Sequence, residues 1–89
     1  MGEVLVRFSI MPDDMENFET LKSEISNQIK QLKIVKKYDL LEQDIAFGMK
    51  AIILNVVVPD SEGGADLLEQ ELNKIKHVSS LEVTSMDRL

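Results

Sequence analysis

The sequence predicts an α+β fold: a four-stranded antiparallel sheet with two helices on one face. Three observations lead there. Apolar residues alternate with others at Val4, Val6, Phe8 and Ile10, recur at steps of three and four from Met15 to Leu32, and fill both parities of Ala51 to Val58. These are the patterns of a half-buried strand, an amphipathic helix and a strand inside a sheet.

The first strand sets Glu3, Leu5, Arg7 and Ser9 opposite its apolar residues and ends at Pro12. Asp13 and Asp14 then supply side-chain acceptors for a helix start, and their charge suits the positive end of the helix dipole. Met15, Phe18, Leu21, Ile25, Ile29 and Leu32 form the core-facing stripe of that helix. From Ile34 to Asp44 the pattern is mixed, with Lys36 and Lys37 before Tyr38, and Leu40 and Leu41 before Glu42, Gln43 and Asp44. A second strand without sharp bounds is expected there. The third strand carries Ile52, Leu54, Val56 and Val58 on one face and Ala51, Ile53, Asn55 and Val57 on the other. Its β-branched residues favour strand over buried helix, and two apolar faces assign it to the sheet interior, covered on each side. Pro59 and Asp60 close it, and Ser61, Glu62, Gly63 and Gly64 turn into a second helix. Leu68, Leu72 and Ile75 are the stripe of that helix, with Leu67 and Ala65 at its edge. Val78, Leu81 and Val83 predict a last strand from about Val78 to Met86, which leaves Asp87, Arg88 and Leu89 as a short tail.

Strand, helix, strand, strand, helix, strand is the split βαβ, or ferredoxin-like, arrangement. Right-handed crossovers lay both helices on one sheet face and leave the other open. Eighty-nine residues suit a single domain, 1–89, around one core, and 44% hydrophobic with 29% charged residues is an ordinary globular composition. The sequence has no cysteine, which excludes disulfides, thiolate metal sites, iron–sulfur clusters and cysteine nucleophiles. Ala51 to Val58 falls far short of the ~20 residues that span a bilayer, and no basic-then-apolar stretch opens the sequence, so neither membrane insertion nor export is expected.

The net charge of −6 opposes binding to a phosphate backbone, and no direct nucleic-acid partner is expected. Lys30, Lys33, Lys36 and Lys37 read as a solvated helix end and turn. The sole histidine, His77, lacks a second nitrogen or thiol ligand and reads as a turn residue between helix and strand. Asp13, Asp14 and Glu16 lack the glycine and bidentate glutamate of a calcium loop. Gly63 and Gly64 precede a helix, where backbone N–H groups bind anions, but Glu62 and Asp66 flank them and no lysine with serine or threonine follows. Enzyme chemistry, a metal and a cofactor all lack a foothold, which directs attention to a binding or regulatory role.

Taken together, VRFSIMP, IAFGMKAIILNVVVPDSEGG and VTSMDRL resemble the archaeal translation elongation factor 1-beta family across essentially the whole sequence. The resemblance implies a guanine nucleotide exchange factor for the GTPase elongation factor 1-alpha, without covalent chemistry, cytoplasmic and a monomer when free. It also implies that Phe47 and Gly48 form an aromatic-glycine turn that meets the partner, followed by Lys50, while Met86 and Arg88 at the other end of the sequence approach the partner's magnesium and nucleotide site. Many eukaryotic relatives have lysine where this sequence has Arg88, and their tryptophan before the turn has no counterpart here. By its residues alone, Phe47 reads equally as a plug over the end of the sheet. The rival reading is a ferredoxin-like regulatory or scaffolding domain that binds a small metabolite or self-associates through its open sheet face. An RNA-binding version is weaker, because Phe8 is the one well-placed strand aromatic.

Overall fold

A computed structural model describes residues 2–59 and 64–89. Its elements follow the expected order: β1 (Glu3–Pro12), α1 (Phe18–Gln31), β2 (Lys37–Asp44), β3 (Lys50–Pro59), α2 (Gly64–Asn73) and β4 (Val78–Arg88). The strands lie in the order β2-β3-β1-β4, every neighbouring pair antiparallel. This is the ferredoxin-like α+β fold.

Register explains the core. Val4, Val6, Phe8 and Ile10 of β1 stand opposite Val58, Val56, Leu54 and Ile52 of β3, and all eight side chains are buried. Over them lie Phe18, Leu21, Ile25 and Ile29 of α1 and Leu68 and Leu72 of α2. Each fully buried aliphatic or aromatic side chain contributes roughly 1.5–3 kcal/mol relative to exposure. No polar or charged residue is buried among the described residues, so burial in this core carries no desolvation cost for polar side chains.

Three expectations change in detail. The helix starts later than Pro12 predicts: Met15 to Asn17 form a turn, the Asp14 carboxylate accepts the Asn17 backbone N–H at 3.1 Å, and α1 begins at Phe18. Asp13 serves another element, since its N–H donates to the His77 carbonyl at 2.8 Å and its carboxylate lies 3.3 Å from His77 Nδ1. His77, at φ 73°, is thus a turn residue tied across the sheet end. β3 is interior, as expected, but helices cover only one of its faces; Ile53, Asn55 and Val57 stay half-buried on the other, where Arg7 Nε donates to Asn55 Oδ1 at 2.9 Å.

The largest correction concerns the C-terminal end. Asp87 and Arg88 belong to β4, opposite Leu5 and Val4, and the Leu89 N–H donates to the Glu3 carbonyl at 2.8 Å. Alternation breaks near Thr84, where the register with β1 shifts between Arg7 and Phe8, and this hides the second half of the strand from a period-two reading. Of the expected turn at residues 61–64, Gly64 is already the first residue of α2, and residues 61–63 lie outside the described residues.

Candidate partner-binding site

β2 and β3 form a hairpin whose last pair is Asp44 with Lys50. Between them the chain reverses at Phe47 and Gly48. The Met49 N–H donates to the Ala46 carbonyl at 3.0 Å, and the Ile45 N–H to the Met49 carbonyl at 2.9 Å. Phe47 has φ 55° and Gly48 φ 77°, the two positive values that a type I′ turn requires. Gly48 adopts this conformation freely, whereas a bulky residue there is uncommon and is strained by about 1–2 kcal/mol.

Phe47 recovers none of that cost by packing: its relative exposure is 102%. The plug reading of Phe47 therefore fails, because the ring covers nothing. Ile45 and Leu41 are also exposed, at 49% and 47%, so this end of the hairpin offers more apolar surface than Phe47 alone. Sequence patterning missed both. Leu41 is the outward member of the adjacent pair Leu40–Leu41 on an alternating strand, and Ile45 is an aliphatic residue set in a turn; each was a usable signal.

Lys50 has two ties. Its backbone N–H points to Met15 Sδ at 3.4 Å, and its Nζ lies 3.4 Å from Glu42 Oε1. Glu42 Oε2 also accepts from Lys22 Nζ of α1. The hydrogen bond from Lys22 is the main cause that holds the Glu42 carboxyl below the ordinary carboxylate range, with Lys50 adding to it, and the same bond raises Lys22.

Met86 and Arg88 stand elsewhere. Met86 faces Val6 across the β1–β4 ladder and is 55% exposed; Arg88 faces Val4 and is exposed. Val4 also pairs with Val58, eight steps along β3 from Lys50, or ~26 Å at ~3.3 Å per residue. The five expected site residues thus form two groups at opposite ends of a molecule 43 Å long: Phe47, Gly48 and Lys50 at one, Met86 and Arg88 at the other.

Two surface hollows lie outside both groups. One runs between α1 and α2, where Gln28 Nε2 donates to Glu71 Oε2 at 2.9 Å; the other lies on the open sheet face around Arg7, Ser9, Leu41 and Ile53. Neither has a buried polar side chain aimed into it among the described residues. No helix among the described residues is long and apolar enough to cross a membrane.

Residues 5–89 match the family described as the EF-1 guanine nucleotide exchange domain. Elongation factor 1-beta of Methanothermobacter thermautotrophicus is 40% identical over 90 residues, covering 100% of this chain and 99% of that protein. Elongation factor 1-beta of Saccharolobus islandicus is 41% identical over 92 residues, covering 100% and 98%. Among solved structures, the de novo designed protein Foldit4 superposes with a TM-score of 0.67 at 20% identity, covering 98% of this chain and 96% of its own, a likeness of fold alone.

Proposed function

Because this chain belongs to the EF-1 guanine nucleotide exchange domain family, we propose that it promotes exchange of GDP for GTP on elongation factor 1-alpha by binding that GTPase and weakening its hold on GDP and magnesium. One observation supports the residue assignment most: Phe47 is a large apolar side chain held in a left-handed turn and fully exposed, so neither its conformation nor its burial accounts for it. Backbone strain retained without a packing return is characteristic of recognition sites. A protein partner that buries the ring supplies the missing return.

Exchange needs no bond making by this chain. A factor that binds the GTPase best in a conformation that holds GDP poorly accelerates release, and by linkage GDP and magnesium weaken its own binding. Phe47, Gly48 and Lys50 anchor one end of the contact. Met86 and Arg88 serve the other, where a guanidinium near a bound magnesium ion competes with it electrostatically. A forked, planar cation reaches differently from a lysine ammonium, so Arg88 perturbs the ion through its own geometry. Since these groups stand ~26 Å apart along the sheet, a partner that touches both extends along most of the molecule. The backbone of Arg88 is already in the β1–β4 ladder, which lowers the ordering entropy of its end on binding. The chain acts as one domain, a cytoplasmic monomer when free.

The test is release of fluorescent GDP from elongation factor 1-alpha with and without this protein. Acceleration that saturates with factor concentration and falls as magnesium rises is expected. An active GTPase whose release rate does not change at micromolar factor overturns the proposal.

A further inference from the structure

On the β2 arm of the β2–β3 hairpin and around its turn every residue from Leu41 to Gly48 is exposed, whereas on the β3 arm Ala51 is buried and Met49 and Lys50 are half-buried. Burial therefore holds the β3 arm, and leaves the β2 arm and the tip that carries Phe47 without packing of their own. Side-chain ties hold these. Three join the hairpin to α1 and the turn before it: the hydroxyls of Ser26 and Tyr38 at 3.0 Å, Lys22 with Glu42, and Met15 Sδ with the Lys50 N–H at 3.4 Å. Glu42 makes the second of these ties and also meets Lys50. One oxygen takes Lys22 from α1 and the other lies 3.4 Å from Lys50 of β3, so a single carboxylate joins both hairpin strands to the helix.

The surroundings strengthen this tie. Lys22 and Glu42 keep 27% and 33% side-chain exposure, so their attraction is less screened than that of a fully solvated pair. Lys22 Nζ also lies 5.9 Å from the centre of the Phe18 ring, a core side chain 4% exposed, which anchors the cation to the packed part of α1. Glu19, 3.9 Å from Lys22, is 81% exposed and competes weakly.

We infer that Glu42 is a positioning residue: by engaging Lys22 and Lys50 together it fixes the angle at which the hairpin presents Phe47 to the partner GTPase. The inference rests on the exchange-factor reading for its partner, while the orientation of the hairpin is a property of the free protein. An exposed ladder held only by its own hydrogen bonds frays, and a frayed tip must be ordered at the moment of binding. Glu42 removes that cost beforehand. It does little for global stability, because partly exposed ion pairs contribute little to folding.

Glu42→Gln keeps the shape of the side chain and removes its charge. Two measurements are needed: amide relaxation of Phe47 and Gly48 in the free protein, and GDP release titrated with the factor. In Glu42→Gln the order parameters at the tip fall from about 0.85 toward about 0.6. The half-saturating concentration rises about two- to fivefold, the range of a partly exposed ion pair, with an unchanged maximal rate. Lys22→Met, which removes only the helix arm, gives a smaller change of the same kind. In a Phe47→Ala background Glu42→Gln has no further effect on exchange, which separates positioning through Phe47 from a general structural role. Unchanged order parameters in Glu42→Gln, or an undiminished effect on exchange in the Phe47→Ala background, overturn the inference alone. Phe47→Ala with wild-type exchange overturns it together with the contact role of Phe47.

Discussion

Phe8 and Phe47 carry the same ring into opposite surroundings. Phe8 lies on β1 between Leu54 of β3 and Val83 of β4, with 0% exposure, in an extended backbone that suits an aromatic residue. Phe47 stands at the tip of the hairpin with 102% exposure and a positive φ that a bulky residue resists. One position is explained by folding; the other is opposed by it. Stability thus rests on the middle of the sheet, and the hairpin tip takes no part in it, so each can be perturbed without the other.

The sharpest break of the comparison is truncation of both rings. Phe8→Ala should lose about 3–5 kcal/mol of stability, the cost of removing a buried aromatic and leaving a cavity, and urea denaturation would read it as a lower midpoint. Phe47→Ala should leave the midpoint within about 0.5 kcal/mol of wild type, as exposed positions do. Its loss should appear in GDP release instead, with the half-saturating concentration raised about 30-fold if the ring is a contact worth ~2 kcal/mol. A large stability loss in Phe47→Ala would show that the ring packs after all.

The two regions also differ in how far they were legible from sequence. β1, α1 and β3 announce themselves because each must bury one stripe or face, and burial writes a period into the residues: Val4, Val6, Phe8 and Ile10 alternate, and Leu21, Ile25 and Ile29 recur at four. Edge strands carry less of that record. β2 buries little beyond parts of Tyr38 and Leu40, and β4 exposes nearly every residue after Leu81, so their bounds blurred and Arg88 was read as tail. The hairpin was legible only through family resemblance, since no period can mark a residue that packs against nothing. That resemblance also named site residues from distant parts of the sequence without their separation, which strand register alone supplies. Glu42 escaped notice because its importance lies in two partners, Lys22 and Lys50, that only the fold brings together.

A subtler substitution sharpens the contrast by separating strain from contact. Phe47→Asn creates Asn-Gly, the favoured pair for a type I′ turn, because asparagine enters the left-handed region more readily than phenylalanine. Stability should rise by about 1 kcal/mol, or roughly 4–8 °C in Tm for a domain of this size. Exchange should fall as far as it does in Phe47→Ala. A gain in stability with a loss of exchange would identify Phe47 as a residue kept against the preference of its own turn. If Tm does not rise, the positive φ is not strained and the comparison with Phe8 rests on exposure alone.

Acid titration has the smallest expected effect and is specific to Glu42. In the folded protein its carboxyl is held below the ordinary range, first by the hydrogen bond from Lys22. In the unfolded chain it titrates near the usual value of about 4.3. A lowered folded-state value means that the tie is fully present above about pH 4.3 and is lost as pH falls through the lower folded value. Lys22, raised by the same bond, stays charged across this window and is not the group that changes. Glu19 lies beside Lys22 and Asp44 opposite Lys50, and comparison with Glu42→Gln subtracts whatever they contribute. Order parameters at Gly48 should therefore hold down to about pH 4.3, fall below it in the wild type, and change less in Glu42→Gln. Phe8, sealed in the core, should keep its order throughout that range, whereas the tip that carries Phe47 loosens. Parallel profiles in the two proteins would mean that acid reaches the hairpin by a route other than Glu42, and the tie at Glu42 would no longer explain its orientation.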